Sequence, residues 1–487
     1  MTCKPSPSSA TSDAAPPLDD YEAWCAAKLR LPAPAGVSAP PSLCPALKPF
    51  QADCTGWALE RGRSALFEDC GLGKTLQQLA WAQAIVEHTG GRVLILAPLA
   101  VAGQTVREGQ KFGIPVTYAR TKGEQAKRGI TITNYERLDA FDPADFAGVV
   151  LDESSILKSF MGATKRRLLE AFARTPFRLA CTATPAPNDH MELGNHAEFL
   201  GILTSHEMLA RWFLNDTSAM GTYKLKGHAV EPFWDWVSSW ARCLGSPADL
   251  GYDATGYVLP DLVQRVHTLD VDVTEGRAKG QLFRQGGLSA TKLHQEKRLT
   301  LATRAAKMAE LVTSEPGESW ILWCDTDYED EALRAVLPDA VSVRGSDSLD
   351  SKERALLGFA DGSIRVLITK PRIAGFGLNW QHCARVGYVG PSFSYEAYYQ
   401  TVRRTWRFGQ TRPVHVHVAM GRTEVEVWQA MQRKAADHEA MKVEMFAAMR
   451  RAREARDEQA RIYKPTRRAA LPSWITSGAV KEARRSA

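Results

Sequence analysis

Two short runs carry side chains fit for phosphate chemistry. The first is "FEDCGLGKTLQQLAW", residues 67–81. Gly71 and Gly73 allow backbone N–H groups to approach phosphate oxygens closely. The start of a helix adds the positive end of its dipole. Lys74 can reach the β- and γ-phosphates of a nucleotide, and the Thr75 hydroxyl can ligate Mg²⁺. Glu68 stands where the glycine pattern of such loops has its first glycine. The second run is "FAGVVLDESS", which puts Asp152 and Glu153 at the end of an apolar stretch. One carboxylate there can hold the metal, usually through water, while its neighbour orients and deprotonates an attacking water.

These side chains need a strand to end, a loop to turn and a helix to begin. "RSALF" precedes the glycines as a buried-strand pattern, and "TLQQLAWAQAIVEH" follows with Leu76, Leu79, Ala80 and Ala84 on one helical face. From about residue 47 to 200, apolar runs at 65–67, 93–96, 130–133, 149–151 and 178–182 alternate with amphipathic segments. That rhythm predicts an α/β fold with a parallel sheet covered by helices on both faces. It breaks over 201–262, where Trp212, Phe213, Trp234, Trp236 and Trp240 stand without a repeating strand signal, and a mostly helical insertion is expected. It returns at 266–273, 320–324, 340–343, 364–368, 386–389 and 414–418, a second α/β lobe over 263–422. The segment 423–487 turns helical, with Met441, Met445 and Met449 spaced as a packing face. Residues 1–46 read as a disordered leader followed by a short helical stretch and a Pro-rich linker.

The 487 residues exceed one ordinary core. The formal charge is +6, and it is concentrated at the end: residues 450–487 hold eleven Lys/Arg against four Asp/Glu, or +7, leaving −1 for the rest. Such a tail suits a nucleic-acid arm. The nine cysteines stand singly, without zinc or C-x-x-C spacing, as reduced thiols in a cytoplasmic protein would. No apolar run is long enough to span a membrane.

The order of motifs resembles superfamily-two helicases, most closely the Swi/Snf-like DNA translocases, over about residues 47–410. "LKPFQADCTGWAL" looks like the adenine-recognition motif, with Gln51 reading the base. "FEDCGLGKTLQ" is similar to that family's motif I, in which an acidic residue commonly replaces the first glycine. "LILAPLAVAGQT" resembles motif Ia, placing Pro98 and Leu99 near a nucleic-acid backbone, and "TITNYERL" the next strand contact, with Asn134. "LDESSILKS" resembles motif II and "RLACTATPAPNDHMEL" motif III, where Thr182 and Thr184 link nucleotide state to strand contact. In the second lobe "SWILWCDT" resembles motif IV and "VRGSDS" the strand contact after it, with Arg344. "LITKPRIAGFGLNW" resembles motif V, bringing Lys370, Arg372, Gly375, Gly377 and Asn379. "YYQTVRRTWRFGQ" resembles motif VI, with Gln400, Arg404, Arg407, Gly409 and Gln410 at the family's spacing. Two positions depart: motif II ends Ser154-Ser155 where relatives carry Ala/Gly-His, and Phe376 replaces a smaller residue.

The resemblance implies two RecA-like lobes, a helical insertion, a helical basic C-terminal tail, and ATP with Mg²⁺ between the lobes. Gln51, Gly71, Gly73, Lys74, Thr75, Gly375 and Gln400 would hold the nucleotide, with Thr75 and Asp152 on the metal. Lys74, Asp152, Glu153, Arg404 and Arg407 would carry the chemistry. Arg404 and Arg407 can act as arginine fingers only if the lobes close, and such fingers are worth roughly 10³–10⁵ in rate. The expected partner is DNA, duplex before single-stranded, contacted through its backbone with weak sequence preference and strong salt dependence. The expected place is the cytoplasm, at the nucleoid or in a phage-infected host. An RNA helicase, or an ATP-gated DNA clamp with little turnover, are the alternatives.

Overall fold

The structure is a computed structural model that describes residues 35–37, 42–159, 162–215, 223–272, 274, 290–374, 379–392 and 394–454. They belong to one compact unit, Pro34–Arg456. Fifteen strands run through them: β1 Arg63–Glu68, β2 Arg92–Ala97, β3 Val116–Tyr118, β4 Gly129–Asn134, β5 Gly148–Asp152, β6 Phe177–Thr182, β7 Phe213–Asn215, β8 Tyr223–Leu225, β9 Ala241–Leu244, β10 Leu262–Leu269, β11 Trp320–Trp323, β12 Val341–Val343, β13 Val366–Thr369, β14 Arg385–Tyr388 and β15 Val414–Gly421.

Two sheets hold all of them but β7 and β8, ordered β3-β4-β2-β5-β6-β1-β9 and β10-β15-β14-β11-β13-β12. Every pairing in both is parallel. Parallel strands need crossovers, and the helices that make them cover both faces. The central strands are accordingly apolar throughout: Val93 to Ala97 and Val149 to Leu151 are fully buried. Alternation sends Ile321 and Trp323 into one core of the second lobe and Trp320 and Leu322 into the other. In a parallel sheet the strands' carboxyl ends share one edge, so Glu68, Ala97, Asn134, Asp152 and Thr182 are delivered together in the first lobe.

The segment 201–262 is less helical than its composition suggests. Helices Ser205–Trp212 and Val230–Ser238 are present, but β7 and β8 form a hairpin, and β9 extends the first lobe's sheet beside β1. "ARCL" has Arg242 at its centre and no apolar alternation; the open edge of β1 selects it as a strand, not its own pattern. The tryptophans pack together: Trp212 lies 4.6 Å from Trp236, which lies 5.3 Å from Trp240. The short β3 also escapes the sequence pattern, and β10 begins at Leu262, where it pairs with Val414, four residues before the expected start.

The chain ends its described part in a thirty-residue helix, Val425–Glu454, about 45 Å long. Its first turns join the second lobe's core through Trp428 and Met431. Its last turns lie on the first lobe: Met449 joins that core, and Arg451 pairs with Asp235 at 2.7 Å. Met441, Met445 and Met449 are buried on its packed face. The leader through residue 34 and residues 455–487, which hold most of the basic tail, lie outside the described residues.

Candidate active site

β1 ends at Glu68 and the helix Lys74–Thr89 begins six residues on. The loop between them turns through Gly71 and Gly73, at φ 96° and 83°, a region that glycine enters without the cost a Cβ brings. Space is as restrictive as angle: a Cβ on Gly73 would lie 2.3 Å from the Gln51 amide nitrogen. Gln51 is fixed there because its Oε1 accepts from the Lys48 N–H at 2.8 Å and its Nε2 donates to the Leu72 carbonyl at 2.8 Å. The expected base reader is thus docked on the expected phosphate loop.

Lys74 folds into that loop and donates to the Glu68 and Asp69 carbonyls at 2.7 and 3.1 Å. Burial works against its charge, but the Cys70 thiol and the carboxylates of Glu153, Glu68 and Asp69 outweigh it and raise its pKa. Thr75, next on the helix, is half-buried. Below the loop, Glu68 is fully buried, and its carboxyl is pushed up to about 7 by desolvation while Gln77 donates to it at 2.6 Å.

Asp152 closes β5. Its Oδ1 accepts from Gln78 at 2.8 Å and its carbonyl accepts from the Tyr135 hydroxyl at 2.7 Å. Glu153 is the one non-glycine among the described residues with positive φ, 54°. The left-handed conformation costs an L-residue about 1–2 kcal/mol, a price accepted where a side chain must leave the strand's course. Burial first, and the Asp152 charge second, lift its carboxyl to about 7, while Lys74 and Arg404 pull it down. Thr182 donates to it at 3.5 Å and accepts from the Thr184 N–H at 3.1 Å.

The second lobe faces this edge with motif VI. The helix Tyr395–Val402 ends just before Arg403, Arg404 and Arg407. Arg404 is 5% exposed, its Nε donates to the Gln400 carbonyl at 3.2 Å, and its charge lowers both the Asp152 and Glu153 carboxyls. Burial brings Arg407 down to about 10, with Arg404 and Arg403 adding to the effect. A Cβ on Gly71 would stand 3.3 Å from Phe408 and 3.9 Å from Arg407, so motif VI already lies against the phosphate loop. Gln400 reaches Glu396 at 3.5 Å, and Glu396 pairs with Lys158 at the end of motif II. Gln410 is a staple: it donates to the Cys383 and Thr405 carbonyls and accepts from the Thr411 and Arg412 N–H groups.

The chain matches the SNF2-related domain over residues 50–229 and the helicase conserved C-terminal domain over residues 303–409. The first match takes in the phosphate loop and motif II, and the second takes in Arg403, Arg404 and Arg407. The chain belongs to the superfamily-two, Swi/Snf-like helicases. It is 30% identical over 176 residues to Helicase ssl-1 of Caenorhabditis elegans, covering 32% of this chain and 7% of that one. It is 30% identical over 187 residues to Helicase SWR1 of Debaryomyces hansenii, covering 34% and 11%. It therefore spans a small part of these curated relatives. A solved structure, the Sulfolobus solfataricus SWI2/SNF2 ATPase core in complex with dsDNA, aligns at TM-score 0.39 and 17% identity over 88% of this chain and 99% of that one, too loose a likeness to carry weight.

The expected strand contacts of this Swi/Snf-like chain fall at carboxyl ends of strands in both lobes. Pro98 starts the helix Leu99–Lys111, and Leu99 is 59% exposed. Asn134 is buried and donates to the exposed Glu136 at 2.9 Å. Arg344 donates to Asp330 at 2.5 Å and Lys370 to Asp327 at 2.6 Å, while Arg372 is exposed. Gly375, with Phe376 and Gly377, lies outside the described residues. At the departed end of motif II, the Ser154 hydroxyl lies 3.1 Å from His196 Nε2. Burial holds that imidazole near 4, hence neutral. Sequence reading missed Gln78, Asp69, Arg403 and the Lys158–Glu396 pair. Only the doubled arginine in "VRRTWR" offered a signal; the others depend on partners remote in sequence.

Proposed function

We propose that this chain hydrolyses ATP between its lobes and couples the cycle to movement along duplex DNA. One observation carries the reading. Arg404 from the second lobe acts electrostatically on Asp152 and Glu153 of the first, while Arg407 and Phe408 press on Gly71.

The loop N–H groups and Lys74 would bind the β- and γ-phosphates, and Gln51 the base. Lys74 would exchange the Glu68 and Asp69 carbonyls for phosphate oxygens. Thr75 and Asp152 offer a hydroxyl and a carboxylate, the hard oxygen donors that Mg²⁺ takes, with Asp152 oriented by Gln78. Bound there, Mg²⁺ would neutralise charge on the phosphate oxygens. Glu153, poised near 7, would take the proton of the attacking water. Arg404 and Arg407 would stabilise the charge on the transferring phosphoryl group. Lys158–Glu396 supplies a second tie between motif II and motif VI in a chain that lacks the family histidine there.

Pro98, Leu99, Arg344, Lys370 and Arg372 would track the duplex backbone, with Asn134 behind them. Arg344 and Lys370 are held by Asp330 and Asp327, so phosphates would compete with those carboxylates and binding should weaken steeply with salt. The work would be done in the cytoplasm, where such DNA lies. ATP hydrolysis measured with duplex DNA, single-stranded DNA and RNA, followed by triplex displacement, tests the proposal. Duplex should stimulate most, and Lys74→Ala should abolish turnover; stimulation by RNA alone would move the reading to an RNA helicase, and silence with every polymer to a clamp.

A further inference from the structure

Arg403 has no place in the chemistry above, yet its side chain reaches across to the other lobe. Its guanidinium donates to the carboxylate of Asp69, a residue of the phosphate loop, across 334 positions of sequence. The side chains are 7% and 5% exposed. Lys442, from the helix Val425–Glu454, adds a second cation 3.7 Å from the same carboxylate. Three elements thus meet at one buried anion: the phosphate loop, motif VI and the C-terminal helix.

Both partners are pinned on their own sides. The Arg403 guanidinium lies 4.6 Å from the Trp406 ring centroid and 5.4 Å from that of Tyr399. Trp406 donates to the Pro260 carbonyl at 2.6 Å. The Asp69 N–H donates to the Leu244 carbonyl at 2.8 Å, and its own carbonyl accepts from Lys74 at 3.1 Å. Arg403 directly precedes Arg404 and lies four residues before Arg407, in the turns that follow the helix Tyr395–Val402. Fixing its head group on Asp69 therefore fixes the backbone that aims the other two. A buried charge stripped of its partner is strongly unfavourable, so intermediate placements in which Arg403 is buried away from Asp69 are disfavoured.

We propose that Asp69 and Arg403, backed by Lys442, form an interlobe latch that sets Arg404 and Arg407 over the phosphate loop. Asp69 and Arg403 are positioning residues, and their effect on turnover rests on the ATPase reading above. His438 lies beside the latch, its ring 5.4 and 5.5 Å from those of Tyr395 and Tyr399. Burial holds it to about 3, so it stays neutral and adds no competing charge.

The test is a double-mutant cycle on the full chain with Arg403→Gln, Asp69→Asn and both together. Each single change should lower kcat on the order of 10–100-fold while KM for ATP stays within about threefold, because aim is lost and ground-state binding is not. The double variant should be no worse than the worse single one, and Lys442→Met should cost about threefold. Multiplying effects in the double variant, or a loss confined to KM, overturns the latch. A second measurement needs no turnover: interlobe distances between spin labels carried on unnatural residues at Glu170 and Ala335, without nucleotide. The parent chain should give one short, narrow distribution, and both single variants should lengthen or broaden it alike. Unchanged distributions overturn the latch even if the ATPase assay succeeds. A parent chain silent in the ATPase assay overturns the ATPase reading and leaves the distances to decide the latch.

Discussion

The two lobes repeat one architecture and treat the same edge in opposite ways. In the first, the carboxyl ends of β1 and β5 present a glycine loop, a helix start and two acids whose burial pushes them up, Glu153 to about 7. In the second, the residues just beyond β11, β14 and β15 meet cations supplied by the lobe itself. Lys297 reaches Asp325 at 2.6 Å, and Arg304 reaches Glu329 at 3.1 Å and Glu424 at 3.9 Å. Burial would lift Glu329, but Lys297 and Arg304 outweigh it and hold it below its usual range. Even Gly390 is needed to admit the Arg304 guanidinium, which a Cβ there would meet at 2.4 Å. Parallel topology alone therefore does not make a phosphate site. The first lobe leaves its acids under-neutralised and its loop open to glycine-sized clearance. The second lobe neutralises its own acids and presents Arg404 and Arg407 across the cleft.

That contrast can be broken at several points. Arg404→Ala should cost most, about 10³-fold or more in kcat by phosphate release, because nothing in the first lobe replaces it; a loss below tenfold would mean the lobes work separately. Glu153→Gln should lower kcat by about 10²–10⁴ with ATP affinity retained. Arg304→Met should act on stability instead, by roughly 3–5 kcal/mol in thermal or denaturant unfolding, since the buried Glu424 would lose Arg304 and the buried Glu329 would keep only Lys297; nucleotide affinity of the folded fraction should not move. The pH profile sharpens the comparison further. Glu153 must be ionised to accept a proton, so turnover should rise with pH through about 7 and level off above it. Glu68, also near 7 but bound to Gln77 under the loop, should leave that limb in place when changed to Gln. Smallest is Ser154→Ala, expected to change kcat by no more than about threefold, because the hydrogen bond to His196 is internal to the first lobe.

Much of this was legible from residue order. The strands at 93–96 and 149–151 were readable because central parallel strands are apolar on both faces, and those at 65–67, 130–133 and 178–182 because short apolar or β-branched runs recur between amphipathic segments. β9 was not, since an edge strand of four residues borrows its conformation from its neighbour. The expected site residues Lys74, Asp152 and Glu153 are gathered at one edge with Arg404 opposite, while Asn134 ends β4 at the same edge with its side chain on Glu136. The left-handed backbone of Glu153 was equally hidden, because only the packed surroundings make that conformation the lowest available.

By itself the sequence determined the local devices. It set the glycines that let a loop turn tightly before a helix, the apolar runs that must be buried, and the order in which acids and arginines follow along the chain. These are short-range consequences of backbone freedom and hydrophobic periodicity. Tertiary structure alone decided which charges meet. Arg403 found Asp69, Lys158 found Glu396, and Lys297 with Arg304 filled the second lobe's crevice, because charge pairing in a desolvated interior depends on distances that only the closed packing of distant segments can set.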